Sequence, residues 1–409
     1  MEGLVVGLDI GTTKVCALVA ERDEWGHVNI LGLGRAPSTG ITRGVVTNIE
    51  QTVQAIRQAI QEAERAAGVE VRALYVGVAG EHISSSETRS IVTTRDGEIR
   101  QRDVERLLED ARRLLLPADR QILHLMPQEF IVDNHVVVQN PVGMAGIRLE
   151  GRFHVVTGLV TAVRNLQRCV ERAGYEVADI VLQPLASSLA VLDPEERRAG
   201  VALVDIGGGT TDVAVFENNV IRYTAAIPFA GDSVTEDIRK VLHLLPEQAE
   251  TLKIQYGCAM VDWVRDATQI SIPGIGGRPP RTIQRSALAQ VIQPRMEEIF
   301  ELVYEQLRRS GYLRHLSAGV VLTGGGALLA GITELAQHKL GLEARVGLPV
   351  GVHGGMAQEV RSPMYATGVG LIHYALSQLP EGKGSPMRDQ GRGLWRRFVE
   401  RIGRWLEEL

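Results

Sequence analysis

Asp205-Ile206-Gly207-Gly208-Gly209-Thr210-Thr211-Asp212 joins two apolar runs, one ending at Val204 and the other running from Val213 to Phe216. Three successive glycines between strands let a backbone approach a ligand that a Cβ would hold off, and the N–H groups of such a turn suit phosphate. An ordinary loop has the same composition. The stretch also has an echo. Val5-Val6-Gly7-Leu8-Asp9-Ile10-Gly11-Thr12-Thr13-Lys14-Val15 repeats the order strand, aspartate, glycine turn, strand. Here Lys14 adds a positive charge, although a plain hairpin reads the same way.

The surroundings of the two turns repeat as well. Each is followed by a second apolar strand (Val15 to Ala20; Val213 to Phe216) and a third (Val28 to Leu33; Val220 to Ala226), which predicts two meanders. The first half then offers a helix from Ile49 to Ala67 closed by Gly68, a strand at Ala73 to Val78, a helix at Ala162 to Ala173 closed by Gly174, and a strand at Val177 to Leu182. The second half follows the same order, with helices at Val234 to Leu244 and Ala287 to Arg309, a strand at Ala318 to Leu322, a helix near Leu328 to Leu340 and a strand near Ala344. Two such α/β units place their aspartate turns face to face across a cleft, the usual ligand site of open α/β sheets.

Between the fourth strand of the first half and its next helix lies an insertion, Gly80 to Thr157. It predicts a helix from Asp103 to Leu116 stopped by Pro117, and strands at Gln121 to Leu125, Phe130 to Val132 and His135 to Val138. From Leu379 to Arg392, glycine, proline, serine and charges without an apolar period read as a linker.

At 409 residues and 44% hydrophobic content the chain can fill more than one core. Its net charge of -5, with no long run of one sign, argues against nucleic-acid binding as its main role. Cys16, Cys169 and Cys258 stand far apart, so neither a disulfide framework nor a thiolate metal site is indicated, and a reducing compartment fits. The start has no basic leader, and no stretch approaches the ~20 apolar residues that span a bilayer. Any membrane contact is expected to be peripheral.

A third glycine run, Leu322-Thr323-Gly324-Gly325-Gly326-Ala327, is expected to end a strand and open a helix whose N-terminus faces a nucleotide. In order and spacing the three glycine motifs resemble the actin, heat-shock chaperone and sugar-kinase ATPase superfamily, over nearly all of residues 1 to 376. That resemblance implies ATP held by Gly11, Thr12, Thr13, Lys14, Gly207, Gly208, Gly209, Thr210, Thr211, Gly324, Gly325 and Gly326. It also implies Mg²⁺ carried through water by Asp9 and Asp205, and a water-orienting Gln183 acting with Asp205 in hydrolysis that is at most slow. Glu250 and Lys253, one helical turn apart, match the superfamily's adenosine contacts, although a surface ion pair has the same spacing. Gln183 to Ser188 and Tyr365 to Gly370 resemble its crossing helices, where small residues permit close packing.

The C-terminal stretch divides sharply. Leu394, Trp395, Phe398, Val399, Ile402, Trp405, Leu406 and Leu409 fall in one helical arc of roughly 140°, with the charges opposite. Tryptophans on such a face and arginines on the other read as an interfacial helix meeting anionic lipids, against docking on the protein's own core or in a partner's groove.

The position of the insertion resembles the FtsA family of bacterial cell-division proteins, because other actin relatives enlarge the segment that here is only Ser38 to Asn48. Asn140-Pro141-Val142-Gly143-Met144 and Ile227-Pro228-Phe229-Ala230-Gly231-Asp232 look like that family's. The fold class expected is therefore α/β: a duplicated actin-like (ribonuclease H-like) fold with an inserted α+β subdomain and a C-terminal amphipathic helix. The resemblance implies subdomain 1A at 1–79, continued by 158–195 and 363–378, and subdomain 1C at 80–157. It implies subdomain 2A at 196–228 and 296–362, subdomain 2B at 229–295, a linker at 379–392 and a membrane helix at 393–409. It further implies self-association into filaments at the division site on the cytoplasmic face of the membrane, contact with later division proteins, and binding of the FtsZ C-terminal tail. Arg278, Arg281, Arg285 and Arg295 are candidates to receive the tail's carboxylates, although surface arginines are often only solvated. The alternatives are a small-molecule kinase or phosphohydrolase of the superfamily, and an actin relative of pilus assembly or plasmid partition.

Overall fold

A computed structural model describes residues 3–113, 115–264, 268–272 and 279–379. The first half opens with β1 (Leu4–Ile10), β2 (Lys14–Arg22) and β3 (Val28–Pro37), then a small hairpin of β4 (Ile41–Thr42) and β5 (Val45–Val46). Next come α1 (Ile49–Ala67) and β6 (Ala73–Val78). The insertion contributes β7 (Ile83–Thr93), α2 (Gln101–Arg112), β8 (Arg120–Val132), β9 (Val136–Val138) and β10 (Arg148–Leu159). The first half resumes with α3 (Val160–Ala173), β11 (Glu176–Leu182), α4 (Gln183–Val191) and the short α5 (Pro194–Ala199). The second half has β12 (Val201–Ile206), β13 (Thr211–Glu217), β14 (Val220–Ile227), α6 (Gly231–Leu242), α7 (Pro246–Tyr256) and the hairpin strands β15 (Gln269–Ile272) and β16 (Arg281–Gln284). It closes with α8 (Arg285–Ser310), β17 (Val320–Thr323), α9 (Ile332–Leu340), β18 (Ala344–Val346), β19 (Val352–His353) and α10 (Ala366–Ser377).

The duplication is exact in topology at the level of strand order. The first sheet runs β11-β6-β1-β2-β3-β19 and the second β18-β17-β12-β13-β14, so β1, β2, β3, β6 and β11 correspond to β12, β13, β14, β17 and β18. In both, the meander is antiparallel and the two later strands join it in parallel. Each half has its own apolar core, and a third core joins them, with Leu18 and Ile30 packed in one cluster with Leu203, Phe216 and α10. The crossing helices α4 and α10 meet at backbone distance: a Cβ on Gly370 would lie 1.8 Å from the Ala186 carbonyl oxygen, so no side chain fits there. The three cysteines are free and buried.

The insertion departs from its sequence reading in three ways. Gln121 to Leu125 and Phe130 to Val132 are not two strands but parts of the continuous β8, which carries Pro127 through a bulge where Arg152 faces Glu129 and Phe153 faces Pro127. A bulge is where a strand tolerates proline. The helix ends at Arg112, short of Leu116, and Leu115 is exposed. The long strands β7 and β10 went unpredicted, since the Ile83–Thr93 strand is mostly serine, threonine and charge with no apolar alternation. The insertion's sheet and α2 enclose a separate core around Phe130, Phe153, Leu107 and Leu108.

This insertion also leans on the second half. The residue skipped by the bulge, Gln128, donates its Nε2 to the Ile221 carbonyl at 3.1 Å and the Arg222 carbonyl at 3.3 Å, both on β14. Ser85 Oγ donates to the Thr224 carbonyl, and His154 Nε2 meets Thr224 Oγ1 at 3.1 Å. β14 is the last strand of its sheet, so these bonds fall on an edge.

Candidate functional site

Asp9 and Asp205 occupy the same place in their halves, one residue before the end of β1 and β12, and each is followed by a turn closed by the same bond. Gly11 N donates to the Lys14 carbonyl at 2.9 Å, and Gly207 N donates to the Thr210 carbonyl at 3.0 Å. The two turns touch: a Cβ on Gly208 would lie 2.5 Å from Thr13 Cγ2, and one on Gly209 would lie 2.5 Å from Thr12 Oγ1. The cleft they close has a volume of about 390 Å³, within the range of roughly 300–1,000 Å³ usual for small-ligand sites.

Its floor is acidic. Burial pushes the Asp9 carboxyl up to about 6, against the pull of Lys14 and with a further push from Asp205. Burial likewise raises Asp205 to about 6, opposed by a hydrogen bond from Ser187, by Lys14 and by Thr367. Behind them Asp212, at the first pairs of β13, is raised to about 7 by burial and then by Asp205, while Thr210 Oγ1 donates to its Oδ2 at 3.0 Å. The charge facing them is Lys14, whose Nζ donates to the Met364 carbonyl at 2.8 Å and sits 4.3 Å from the centre of the Tyr365 ring. Buried carboxylates of one sign with a single lysine favour a cation, and their oxygen donors suit a hard divalent ion. Among the described residues no group of three or more His, Cys, Asp or Glu side chains forms a metal cage. A hydrated Mg²⁺, which keeps most of its waters and needs few carboxylates, fits that donor set.

Gln183 opens α4 and donates its Nε2 to Asp9 Oδ1 at 3.0 Å, which leaves its amide oxygen to accept from a water in the cleft. Ser187, one turn further on, donates to Asp205 Oδ2 at 2.9 Å and meets Thr367 Oγ1 of α10 at 3.0 Å. The two aspartates are thus held from the crossing helices. Gly324, at φ +82, lies where a Cβ would come within 2.4 Å of Asp205 Oδ1, so only glycine fits. The run it begins does not open an α-helix as expected: Gly325–Leu328 is a 3-10 turn, and α9 starts only after the left-handed Gly331. Gly324, Gly325 and Gly326 nevertheless line the cleft, and a Cβ on Gly325 would meet nothing within 4 Å.

On the far wall Lys253 Nζ reaches Glu250 Oε2 at 2.7 Å, Thr235 Oγ1 at 2.8 Å and the Gly231 carbonyl at 3.0 Å, so the two residues expected at adenosine pair with each other and both line the cleft. Gly11, Thr12, Thr13, Lys14, Gly207 and Gly208 line it too. Thr210 and Thr211 do not: their hydroxyls turn inward, to Asp212 and to the Phe229 carbonyl, because both residues pack against the sheet. Gly209 also stands off the cleft wall, against Thr12.

Of the four arginines, the three within the described residues have different surroundings. Arg281 is exposed on β16; Arg285 begins α8 and donates its Nε to the Tyr256 carbonyl at 3.0 Å. Arg295 is engaged by Asp237 at 2.6 and 3.2 Å and by Glu298. Arg278 and the proposed membrane residues Leu394, Trp395, Phe398, Val399, Ile402, Trp405 and Leu406 lie outside the described residues. Sequence reasoning missed Asp212, Ser187, Thr367 and Asp232, the last of which lines the cleft from the first turn of α6. The signal for Asp212 was present, since it closes the decisive stretch and pairs with Asp205 across β12 and β13. Thr367 lies in the segment read as a crossing helix, but only the crossing of α10 over α4 brings its hydroxyl to the site.

With this geometry in place, two family models match the chain: "Cell division protein FtsA" over residues 202–370 and "SHS2 domain inserted in FTSA" over residues 80–157. The cell division protein FtsA of Pseudomonas aeruginosa is 45% identical over 410 residues, covering 99% of this chain and 97% of that protein. The chain belongs to the FtsA family. The FtsA proteins of Escherichia coli K12 (38% identical, 99% of this chain and 96% of that one) and Bacillus subtilis (40%, 91% and 83%) are similar as well. Among solved structures, a PilM-PilN type IV pilus biogenesis complex matches with TM-score 0.66 and 17% identity over 91% of this chain and 98% of that one. MreB5 of Spiroplasma citri bound to ADP matches with TM-score 0.55 and 16% identity over 91% and 96%. These structures share the actin-like fold, with which the duplicated sheets agree. As an FtsA-family member, this is an actin-like cell-division protein.

Proposed function

We propose that this FtsA-family chain binds Mg²⁺ and ATP in the cleft, polymerises on the cytoplasmic face of the membrane at the division site, anchors FtsZ there and recruits later division proteins. The observation that carries the nucleotide reading is the pair of buried carboxylates, Asp9 and Asp205, on matched glycine turns that share one lysine. The structures of MreB5 of Spiroplasma citri bound to ADP and to AMPPNP, which share this fold, support the same reading.

In this reading the N–H groups of Thr12, Thr13 and Gly208 donate to phosphate oxygens, Gly11 and Gly207 close the turns beside them, and Lys14 adds its charge. Glu250 and Lys253 meet the adenosine end beside Gly324 to Gly326. Mg²⁺, held by Asp9 and Asp205 through water, would neutralise charge on the phosphates. Gln183 orients a water through its amide oxygen but cannot take its proton, so hydrolysis is at most slow and nucleotide acts chiefly on structure. The chain divides into the subdomains given above, with 2B (229–295) receiving the FtsZ tail. Arg281, exposed on β16, is its better-placed contact there, with Arg278 and Arg285 near it in sequence, since Arg295 already has Asp237. The helix 393–409 lies in the membrane surface, and filament formation multiplies its weak single-site affinity.

Flotation with anionic liposomes and ATP, comparing the full chain with one ending at Gln390, tests this. Tail-dependent flotation with filaments in the floated fraction is the expected result; equal flotation of both chains would remove the membrane helix from the proposal.

A further inference from the structure

The helices whose first turns hold the two aspartates line a second cavity with their later turns. It has a volume of about 600 Å³, larger than the cleft, and lies where the insertion, α4, α5, the β13–β14 hairpin and α10 converge. Its apolar lining includes Met126 of the insertion, Leu185 and Leu189 of α4, and Phe216 and Val220 of the hairpin. The basic side chains on its wall are Arg197, Arg198 and His373, Tyr374 turns its hydroxyl to Asp179, and no aspartate or glutamate lines it among the described residues.

Arg197 is the telling member. Its Nε is buried with no hydrogen-bond partner among the described residues, a position that costs a guanidinium much of its hydration. The carboxylates nearby do not fill that gap. Asp193 acts on Arg197 only at a distance as a charge, and Glu196 is committed to Arg345 by bonds of 2.7 and 2.6 Å. Burial outweighs Asp193 and weakens the hold of Arg197 on its proton, as expected of a cation whose counter-charge is missing.

We propose that this cavity binds a small organic anion with an apolar body, its acidic head on Arg197 and Arg198 and its body against Leu185, Leu189 and Phe216. The volume is that of a small-molecule site, and the wall combines an apolar lining with one sign of charge. A ligand here touches the insertion, the crossing helices and the second-half hairpin at once. Its occupancy therefore fixes the insertion relative to both halves.

The test is a fluorescence titration of the full chain with anilinonaphthalene sulfonate, followed by displacement with decanoate or with decylammonium, which has the same tail and the opposite charge. Decanoate is expected to displace the probe and decylammonium to need at least about tenfold more; Arg197→Gln should weaken decanoate by about tenfold, and Leu189→Phe should reduce probe binding by filling the cavity. Neither residue lines the nucleotide cleft, so a failed nucleotide site leaves this readout intact. If circular dichroism shows that Leu189→Phe does not fold, the Arg197→Gln comparison decides alone. Equal displacement by the two amphiphiles, or no response to Arg197→Gln, overturns the proposal. So does displacement by a synthetic peptide of residues 393–409 at lower concentration than decanoate, which assigns the cavity to the chain's own end.

Discussion

Asp212 carries a proton far more readily than a solvated aspartate, with its carboxyl raised from 3.8 to about 7 by burial and by Asp205. The sign of the consequence is fixed. Between those two values the folded chain binds more protons at this site than the unfolded chain, so the contribution of Asp212 to stability falls as pH rises. Asp212→Asn keeps an acceptor for Thr210 and removes the ionisation. The nucleotide-free variant is therefore expected to be more stable than the parent at pH 8, by an amount on the order of 2 kcal/mol, with the gap narrowing toward pH 5. Urea melts of both chains at the two pH values check this, and a gap that is equal or wider at pH 5 contradicts it. The paired aspartates have a parallel effect on binding. With Asp9 and Asp205 both raised to about 6, protonation should release Mg²⁺ as pH falls below that value, which calorimetric titration of Mg·ATP between pH 5 and 8 would record.

Helices α4 and α10 cross at Gly370 and Ala186, and here the usual preference of helices is reversed. Alanine for glycine inside a helix ordinarily stabilises by roughly 0.5–1 kcal/mol. At Gly370 the added methyl would stand 1.8 Å from a carbonyl oxygen, so Gly370→Ala should instead destabilise by about 3 kcal/mol or more and weaken nucleotide binding through Ser187 and Thr367. A thermal melt showing a stabilised variant would disprove the close crossing. Much at this scale was legible in the sequence. The meanders, α1 with its Gly68 cap and the duplicated order follow from apolar period and glycine placement, which act locally. The β8 bulge, the polar β7 and the 3-10 turn after Gly324 did not follow, because each is imposed by contacts from elsewhere in the chain: Phe153 opposite Pro127, β10 beside β7, and Ile206 against Gly326. The cleft was read from three glycine runs for the same local reason, whereas Thr367 and Ser187 belong to it only through the crossing.

Across the whole molecule, the two halves meet at the touching turns, the crossing helices and a shared core, so a ligand held between the turns binds the folded arrangement alone. Mg·ATP at one hundred times its dissociation constant should raise unfolding free energy by about 2.7 kcal/mol, and Lys14→Ala should remove most of that gain. Differential scanning fluorimetry with and without nucleotide would show it; an unchanged midpoint in the parent chain argues against binding in the cleft. The insertion has a separate bearing on the whole. Gln128 and Ser85 place side-chain donors on the carbonyls of β14, the border strand of the second sheet. Open borders of this kind recruit strands from other chains. The insertion therefore acts as a guard against misassembly: a protein lacking residues 80–157 would expose a ready template for strand addition, and its first defect would be clumping in solution, before any loss of partner binding could be observed.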